Sequence, residues 1–227
     1  MERLKAETRI HHNRLENEPL SRGLTAADVD RARYARVLAV YYGVYAPLEA
    51  QLESTVDWRQ LGFDLAPRLK TPLLVRDLAL MGIGADQLSA LPQCSRLPQI
   101  SDLGAAIGCM YVLEGSTLGG QLITRHIGPA LHLNADNGLA FFNSYGPDVG
   151  PMWKAFKQFA ETHAAGREEA IITAAGATFE ALEHWLGAGA LLFDRDYVPN
   201  AALTAIVKNS GSNAVSGPLS RNSASAN

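Results

Sequence analysis

Residues 101–128 read SDLGAAIGCMYVLEGSTLGGQLITRHIG, and this stretch decides the fold class. Ser101 is a helix-capping residue type, and the residues after it are mostly apolar or small as far as Gly128, which predicts one long helix. The interior glycines are spaced by four, seven and four positions and so share one face of the helix: Gly104, Gly108, Gly115 and Gly119. Gly120 stands beside the last of them.

A face made of glycines needs a physical reason. Each interior glycine costs a helix roughly 0.5–1 kcal/mol relative to alanine. One compensation is the close approach of a second helix, or a kink. The other is a backbone surface that lies flat against a broad ligand, since a glycine face opposite a histidine-bearing helix would leave a slot for a planar macrocycle. The sequence leaves both explanations open.

Helical periodicity also covers most of the remaining chain, and strand-type alternation is not sustained anywhere, so the sequence predicts an all-α fold. Apart from the stretch above, the predicted helices cover about residues 25–54, 71–81, 152–163 and 167–186. Thr25 and Thr71 are expected to cap the first two, and Gly82 to end the second. One domain is expected over residues 1–208, followed over 209–227 by a tail rich in Ser, Asn, Gly and Ala.

The composition argues against several classes of protein. Hydrophobic residues make up 47% of the 227 residues and the net charge is −3, so no basic field exists to attract nucleic acid or an acidic membrane. The two cysteines, Cys94 and Cys109, form no CxxC pair, which disfavours a disulfide framework and a cysteine zinc site. The first twenty residues lack the apolar core of a signal peptide, and no apolar run reaches about 18 residues. We therefore expect a cytoplasmic protein.

A histidine near the N-terminus is the clearest candidate for a ligand. Residues 4–17 read LKAETRIHHNRLEN, and helical spacing puts Thr8, His12 and Glu16 on one stripe. A metal-ligating imidazole needs its metal-binding nitrogen unprotonated, and an acceptor at the other nitrogen fixes the tautomer. A surface histidine–glutamate pair has the same spacing, and periodicity alone does not choose between His11 and His12.

Together these segments resemble the haem oxygenase family over most of the chain. The family's proximal-helix pattern, Leu-Lys-x-x-Thr-x-x-x-His-x-x-x-Glu, is matched by Leu4, Lys5, Thr8, His12 and Glu16. The distal-helix pattern, Gly-x-x-x-Gly-Gly-Gln, is matched by Gly115, Gly119, Gly120 and Gln121. Further segments that resemble family helices are residues 67–82, 141–159 and 177–186.

The resemblance implies a single-domain helical bundle that holds haem between a proximal and a distal helix, with His12 as the iron ligand. Catalytic positions carried over from the family are Gly115, Ser116 and Gly119. Positions that would contact the haem are Lys5, Thr8, His12, Glu16, Tyr111, Gly115, Gly119, Gly120, Lys157 and Phe179, of which Lys5 and Lys157 correspond to propionate contacts.

The implied reaction is oxidative opening of haem to biliverdin, with release of iron and carbon monoxide. Electrons would come from an external ferredoxin- or reductase-type donor, because no nucleotide-binding glycine fingerprint follows a strand. The segments YVLEGSTLGGQ and SYGxxxGxMW are similar to the sequences of bacterial members associated with bacteriophytochromes. This similarity implies a bilin-accepting phytochrome as a partner.

Two positions depart from the family pattern. Ser116 stands where many members have an aspartate that organises the water chain for proton delivery, and Glu161 stands where an arginine is expected one turn after Lys157. The alternative is therefore a non-catalytic haem carrier on the same fold. A ferritin-like di-iron bundle would need Glu-x-x-His pairs on two helices, which the sequence lacks. A hydrolase based on Cys109 would need a base, and Gly108 and Met110 offer none.

Overall fold

The computed structural model describes residues 1–24, 26 and 29–192. Within these residues the chain forms nine α-helices and two short 3₁₀ turns, and no strand is found there, so the all-α prediction is confirmed. The helices are α1 Glu2–Glu16, α2 Pro19–Gly23, α3 Arg31–Thr55, α4 Thr71–Leu80, α5 Ala85–Ser89, α6 Leu103–Leu131, α7 Ala140–Asn143, α8 Val149–His163 and α9 Glu168–Leu192. The predicted domain boundary at 208 and the tail over 209–227 lie outside the described residues.

Two helices begin later than predicted because an aspartate provides the cap. Asp102, not Ser101, caps α6, where its carboxylate accepts a hydrogen bond from the Ala105 amide at 2.9 Å. Likewise Asp30 caps α3 by accepting from the Arg33 amide at 2.7 Å, so that helix does not begin at residue 25. A carboxylate is a stronger acceptor than a hydroxyl and also complements the positive end of the helix dipole.

The cap of α4 comes from another helix. Thr71 is its first residue, not its cap. Instead Glu49 of α3, which is 3% exposed, accepts from the amides of Lys70 at 2.6 Å and Thr71 at 2.9 Å. This buried carboxylate fixes α4 against α3. Gly82 ends α4 as predicted, with a φ of +90° that glycine adopts without strain.

Helix α9 is the common support for the two helices that carry the candidate motifs. Both α1 and α6 pack on it. The contact with α6 is close because a Cβ at Gly108 would lie 2.3 Å from the Ile171 carbonyl oxygen, and one at Gly104 would lie 2.9 Å from the Ala170 Cβ. Close helix approach therefore explains the first two glycines of the predicted face. No helix in the described part of the chain is both long and apolar enough to span a bilayer.

Candidate functional site

A cavity of about 670 Å³ lies between α1 and the second half of α6, within the size range of ligand and cofactor pockets. It gathers every site residue predicted from the sequence: Lys5, Thr8, His12, Glu16, Tyr111, Gly115, Ser116, Gly119, Gly120, Lys157 and Phe179. The sequence motifs on two separate helices thus meet at one place. Much of the remaining lining is aromatic and was not predicted: Tyr41, Tyr45, Phe141, Phe142 and Trp153.

His12 borders the cavity and has a carboxylate beside one ring nitrogen. Its Nδ1 lies 3.6 Å from the Glu16 Oε2, which leaves Nε2 as the nitrogen available to a ligand. The Phe179 ring packs edge-on to the imidazole, with 6.2 Å between ring centroids. His11 does not border the cavity and stacks on Phe179. The structure therefore separates two histidines that helical periodicity could not.

The later glycines of α6 leave open space. A Cβ at Gly119 would meet nothing within 4 Å, and one at Gly115 would meet only the Trp153 ring, at 3.8 Å. Gly120 differs, because a Cβ there would lie 2.6 Å from the Phe142 carbonyl oxygen. Both explanations left open by the sequence therefore apply, to different glycines: close packing at the start of α6, and an open backbone surface where α6 borders the cavity.

Ser116 is part of a hydroxyl pair. Its Oγ donates to the Leu113 carbonyl oxygen at 2.7 Å and lies 2.9 Å from the Tyr45 hydroxyl. Since a serine has one proton to donate, Tyr45 is the donor between the two side chains. Burial raises the pKa of Tyr45, so its hydroxyl keeps this proton. The remaining acceptor capacity of Ser116 is available to a water molecule.

Cationic side chains border part of the cavity. Lys5 and Arg9 follow one another at i,i+4 on α1, and Arg22 of α2 and Lys157 of α8 also line the space. The Lys157 ammonium lies 5.8 Å from the centroid of the Trp153 indole. Glu161, which replaces an expected arginine, does not border the cavity. Arg9 and Arg22 were not predicted, although the position of Arg9 one turn after Lys5 was a usable signal.

Directly behind the glycine surface lies a group of polar side chains, Arg68, Lys70, Glu114 and Tyr145, which we call the buried ionic cluster. Arg68, Lys70 and Glu114 are 8%, 2% and 1% exposed. The Glu114 carboxylate accepts from Arg68 at 2.6 Å and from the Tyr145 hydroxyl at 2.5 Å. The Lys70 ammonium donates to the Tyr145 hydroxyl at 2.7 Å and to the Arg68 carbonyl oxygen at 2.7 Å.

Burial sets the protonation behaviour of this cluster. It lowers the pKa of Lys70 to about 8, against the opposing attraction of Glu114 and Glu49. Burial, together with the charge of Glu114, raises the pKa of Tyr145. Lys70 is the member of the cluster that borders the cavity. No periodicity signalled this group, and the one available hint was a glutamate inside the apolar stretch MYVLEG.

The described residues do not provide the side-chain arrangement that a di-iron site or a cysteine nucleophile needs. These residues bring together no group of three or more His, Cys, Asp or Glu side chains that could hold a metal ion, whereas a di-iron bundle requires such a set. Cys109 is fully buried, and burial raises the pKa of its thiol to about 12, which removes the thiolate that a nucleophile needs.

A histidine helix, an open glycine backbone and a cationic border surround one aromatic cavity, and this arrangement is able to hold a planar ligand that carries carboxylates. Residues 1–188 match the family described as Heme oxygenase. A curated relative, the Heme oxygenase of Xanthomonas campestris pv. campestris (strain 8004), is 31% identical in an alignment of 160 residues that covers 67% of this chain and 88% of that relative. The chain belongs to the haem oxygenase family.

Solved structures agree on the fold. The haem oxygenase of Leptospira interrogans superposes with a TM-score of 0.63 at 16% identity, covering 82% of this chain and 97% of that one. Haem oxygenase-1 of the cyanobacterium Synechocystis sp. PCC6803, determined in complex with heme, superposes with a TM-score of 0.64 at 16% identity, covering 92% and 95%. The predicted haem-oxygenase-like helical bundle is therefore confirmed.

Proposed function

We propose that the cavity binds one haem, with the His12 Nε2 on the iron, and that the chain opens the ring to biliverdin with release of iron and carbon monoxide. Membership of the family makes haem the substrate and its oxidative opening the reaction. One observation carries the assignment of the site: His12 and the open backbone of Gly115 and Gly119 border the same cavity.

On the proximal side, the chain's task is to present a neutral, oriented imidazole. Glu16 lies 3.6 Å from the His12 Nδ1, and a small closure would let its carboxylate accept the N–H there. That contact fixes the proton on Nδ1, leaves Nε2 free and makes the imidazole a more basic ligand. Phe179 limits rotation of the ring from one side.

On the distal side, the chain's task is to exclude bulk and hold water. The open backbone at Gly115 and Gly119 would let α6 lie close to a bound haem and so limit where the ring can be oxidised. Ser116, fixed by Tyr45 and by the Leu113 carbonyl, offers one acceptor site for an ordered water. The iron and the porphyrin supply the redox chemistry, and the protein supplies placement.

The cationic residues at the border suit the haem propionates. Lys5 and Arg9 from α1 and Lys157 from α8 approach the cavity from different helices, so two carboxylates could be paired at once. Lysine and arginine both bind carboxylates through charge-assisted hydrogen bonds. Because Glu161 contributes nothing to the cavity, we assign the missing cationic contact to Arg9.

The proposal extends to partners and location. The chain carries no dinucleotide fingerprint, so electrons come from a separate ferredoxin- or reductase-type protein. The resemblance to bacteriophytochrome-associated members supports a phytochrome as acceptor of the bilin. The two cysteines, Cys94 and Cys109, are free, which fits a reducing compartment and supports a cytoplasmic location.

The test is a haem titration of His12→Ala, with His11→Ala as the matched control from the adjacent position. The natural protein and the control should bind about one haem per chain with a histidine-ligated Soret spectrum, whereas His12→Ala should lose that spectrum. An unchanged spectrum in His12→Ala, together with a changed one in His11→Ala, would overturn the ligand assignment. Reduction in air should then convert bound haem to bilin, and haem that stays intact would favour the carrier alternative.

A further inference from the structure

The buried ionic cluster is not accounted for by the stability of the fold. Burying charged side chains carries a large desolvation penalty, and a buried pair is often no more stabilising than apolar residues of equal volume. Yet Arg68, Lys70 and Glu114 are all buried in contact with one another. They also lie where α6 changes from packed helix to cavity wall, since Glu114 directly precedes Gly115.

Two independent connections place Lys70 at the same end of the cavity as Ser116. Through α3, Glu49 holds the Lys70 amide, and Tyr45, one helical turn before Glu49, bonds to Ser116. Through α6, Glu114 lies two residues before Ser116 and contacts Lys70 by way of Tyr145. Lys70 itself borders the cavity. These contacts and the cavity lining place the Lys70 residue on the distal side assigned above.

The Lys70 ammonium has one donor left over. Of its three N–H groups, two are engaged by the Arg68 carbonyl oxygen and the Tyr145 hydroxyl. The nearest remaining acceptor, the Glu114 Oε1, is 3.8 Å away, which is too far for a hydrogen bond. The ammonium also lies 3.9 Å from the centroid of the Tyr145 ring, but the described residues offer its third N–H no further hydrogen-bond acceptor. Because Lys70 borders the cavity, water there is the remaining partner for this N–H.

We propose that Lys70 is the proton donor of the distal side, held in place by Tyr145 and Glu114, and that it supplies the charge which Ser116 lacks. The proposal rests on haem binding in this cavity. The step is a proton transfer alone: an Nζ–H bond breaks, its electron pair stays on Nζ, and the proton passes to a water next to Ser116. Lys70 regains a proton from solvent through the same water.

The surroundings of Lys70 suit this task. The charged or titratable groups that face it are Glu114 on α6, Glu49 on α3, Arg68 on its own segment and Tyr145 before α8. Burial makes the ammonium more acidic than an exposed lysine, with a pKa of about 8, so it is charged at neutral pH and releases a proton readily. General acids are most effective when their pKa lies near the working pH.

The decisive variants are Lys70→Arg and Lys70→Met. Arginine keeps the positive charge but cannot release a proton, and methionine removes both properties. Lys154→Arg, an exposed position outside the cavity, is the matched control. All three variants should bind haem with the His12-type spectrum. Both Lys70 variants should open haem about 10²-fold more slowly or worse, the usual size of a lost general acid.

A second measurement separates proton donation from a structural role. In the natural protein the rate of haem opening should fall above about pH 8, and this alkaline limb should vanish in Lys70→Arg. In the haem-free protein, the Lys70 side-chain NMR signal should titrate near pH 8, and Glu114→Gln should move that midpoint to lower pH, because Glu114 raises the pKa of Lys70.

The outcomes are distinct. If haem-bound Lys70→Arg opens haem at the natural rate and keeps the fall in rate at alkaline pH, the proposal is wrong. The haem oxygenase assignment would then still stand. An NMR midpoint near that of an exposed lysine would overturn it as well. Failure of the natural protein to bind haem would instead overturn the proposed function.

Discussion

Alanine substitution at two glycines of α6 should have opposite effects, because the same methyl group meets different surroundings. At Gly108 it would lie 2.3 Å from the Ile171 carbonyl oxygen and 2.9 Å from the Ala174 Cβ, so α9 must shift. Overpacking of this kind costs about 1–3 kcal/mol. The gain in helix propensity returns at most about 1 kcal/mol. Because the closest atom is a backbone oxygen, the cost lies in the upper part of that range, and Gly108→Ala should destabilise the haem-free protein by about 1–2 kcal/mol.

At Gly119 the methyl meets nothing within 4 Å, so the gain in helix propensity is not offset by a clash. Gly119→Ala should therefore raise the free energy of unfolding by up to about 1 kcal/mol. For a chain of this size that is a rise in Tm of roughly 2–4 °C. The same methyl enters the proposed haem slot, so Gly119→Ala should weaken haem binding or change the site of ring opening, and Gly119→Leu should do so more strongly.

Calorimetry of the haem-free variants, followed by haem titration and bilin analysis, measures both effects. A Gly119→Leu protein that binds and opens haem normally would show that this backbone does not face the ring. A Gly108→Ala protein as stable as the natural one would refute the close contact of α6 with α9. The two results are independent, since one glycine borders the cavity and the other is buried between helices.

Two further predictions follow from single side chains. Glu16→Gln should retain haem but lower the iron–histidine stretching frequency in resonance Raman spectra of the ferrous complex, because an amide oxygen is a poorer acceptor than a carboxylate for the His12 N–H; an unshifted band would mean that Glu16 does not bond to His12. The lowered pKa of Lys70, about 8 folded against 10.5 unfolded, means that the unfolded state binds more protons between these values. The free energy of unfolding of the haem-free protein should then rise with pH across that window by about 3 kcal/mol from this group. Denaturant titrations at pH 7.5 and 10 should show this rise reduced in Lys70→Met, and an equal rise in both proteins would contradict the assignment.

The helices were predictable because their signal is local, whereas their exact starts were not. Ser101 and Asp102 are both capping types, and sequence alone does not say which one reaches the first free amide. For α4 the cap is Glu49, a residue of α3 that lies more than twenty positions earlier in the chain. A local pattern favours Thr71, but the tertiary contact supplies the hydrogen bonds.

The candidate site was predictable to the extent that its residues lie on two continuous helices. The i,i+4 spacing of α1 and the glycine spacing of α6 put candidate residues on shared helix faces, and the resemblance to the haem oxygenase family selected among them residues that border one cavity. Residues that reach the site from elsewhere could not be found in this way. Tyr45 looks like part of an apolar stripe until the fold places its hydroxyl 2.9 Å from Ser116.

Ser116 shows most clearly why the residue at a position of the family pattern does not by itself reveal how the function is carried out. A carboxylate at 116 would stand in the exposed cavity wall, where it could bind water directly. At 114 the carboxylate is 1% exposed and bonds to Arg68 and Tyr145, so it reaches the cavity only through its effect on Lys70. The family pattern places a carboxylate beside the ligand. Here the carboxylate of Glu114 does not border the cavity, and the cation Lys70 does. A search for the expected residue at the expected position therefore finds a serine, while proton transfer depends on partners that only the fold brings together.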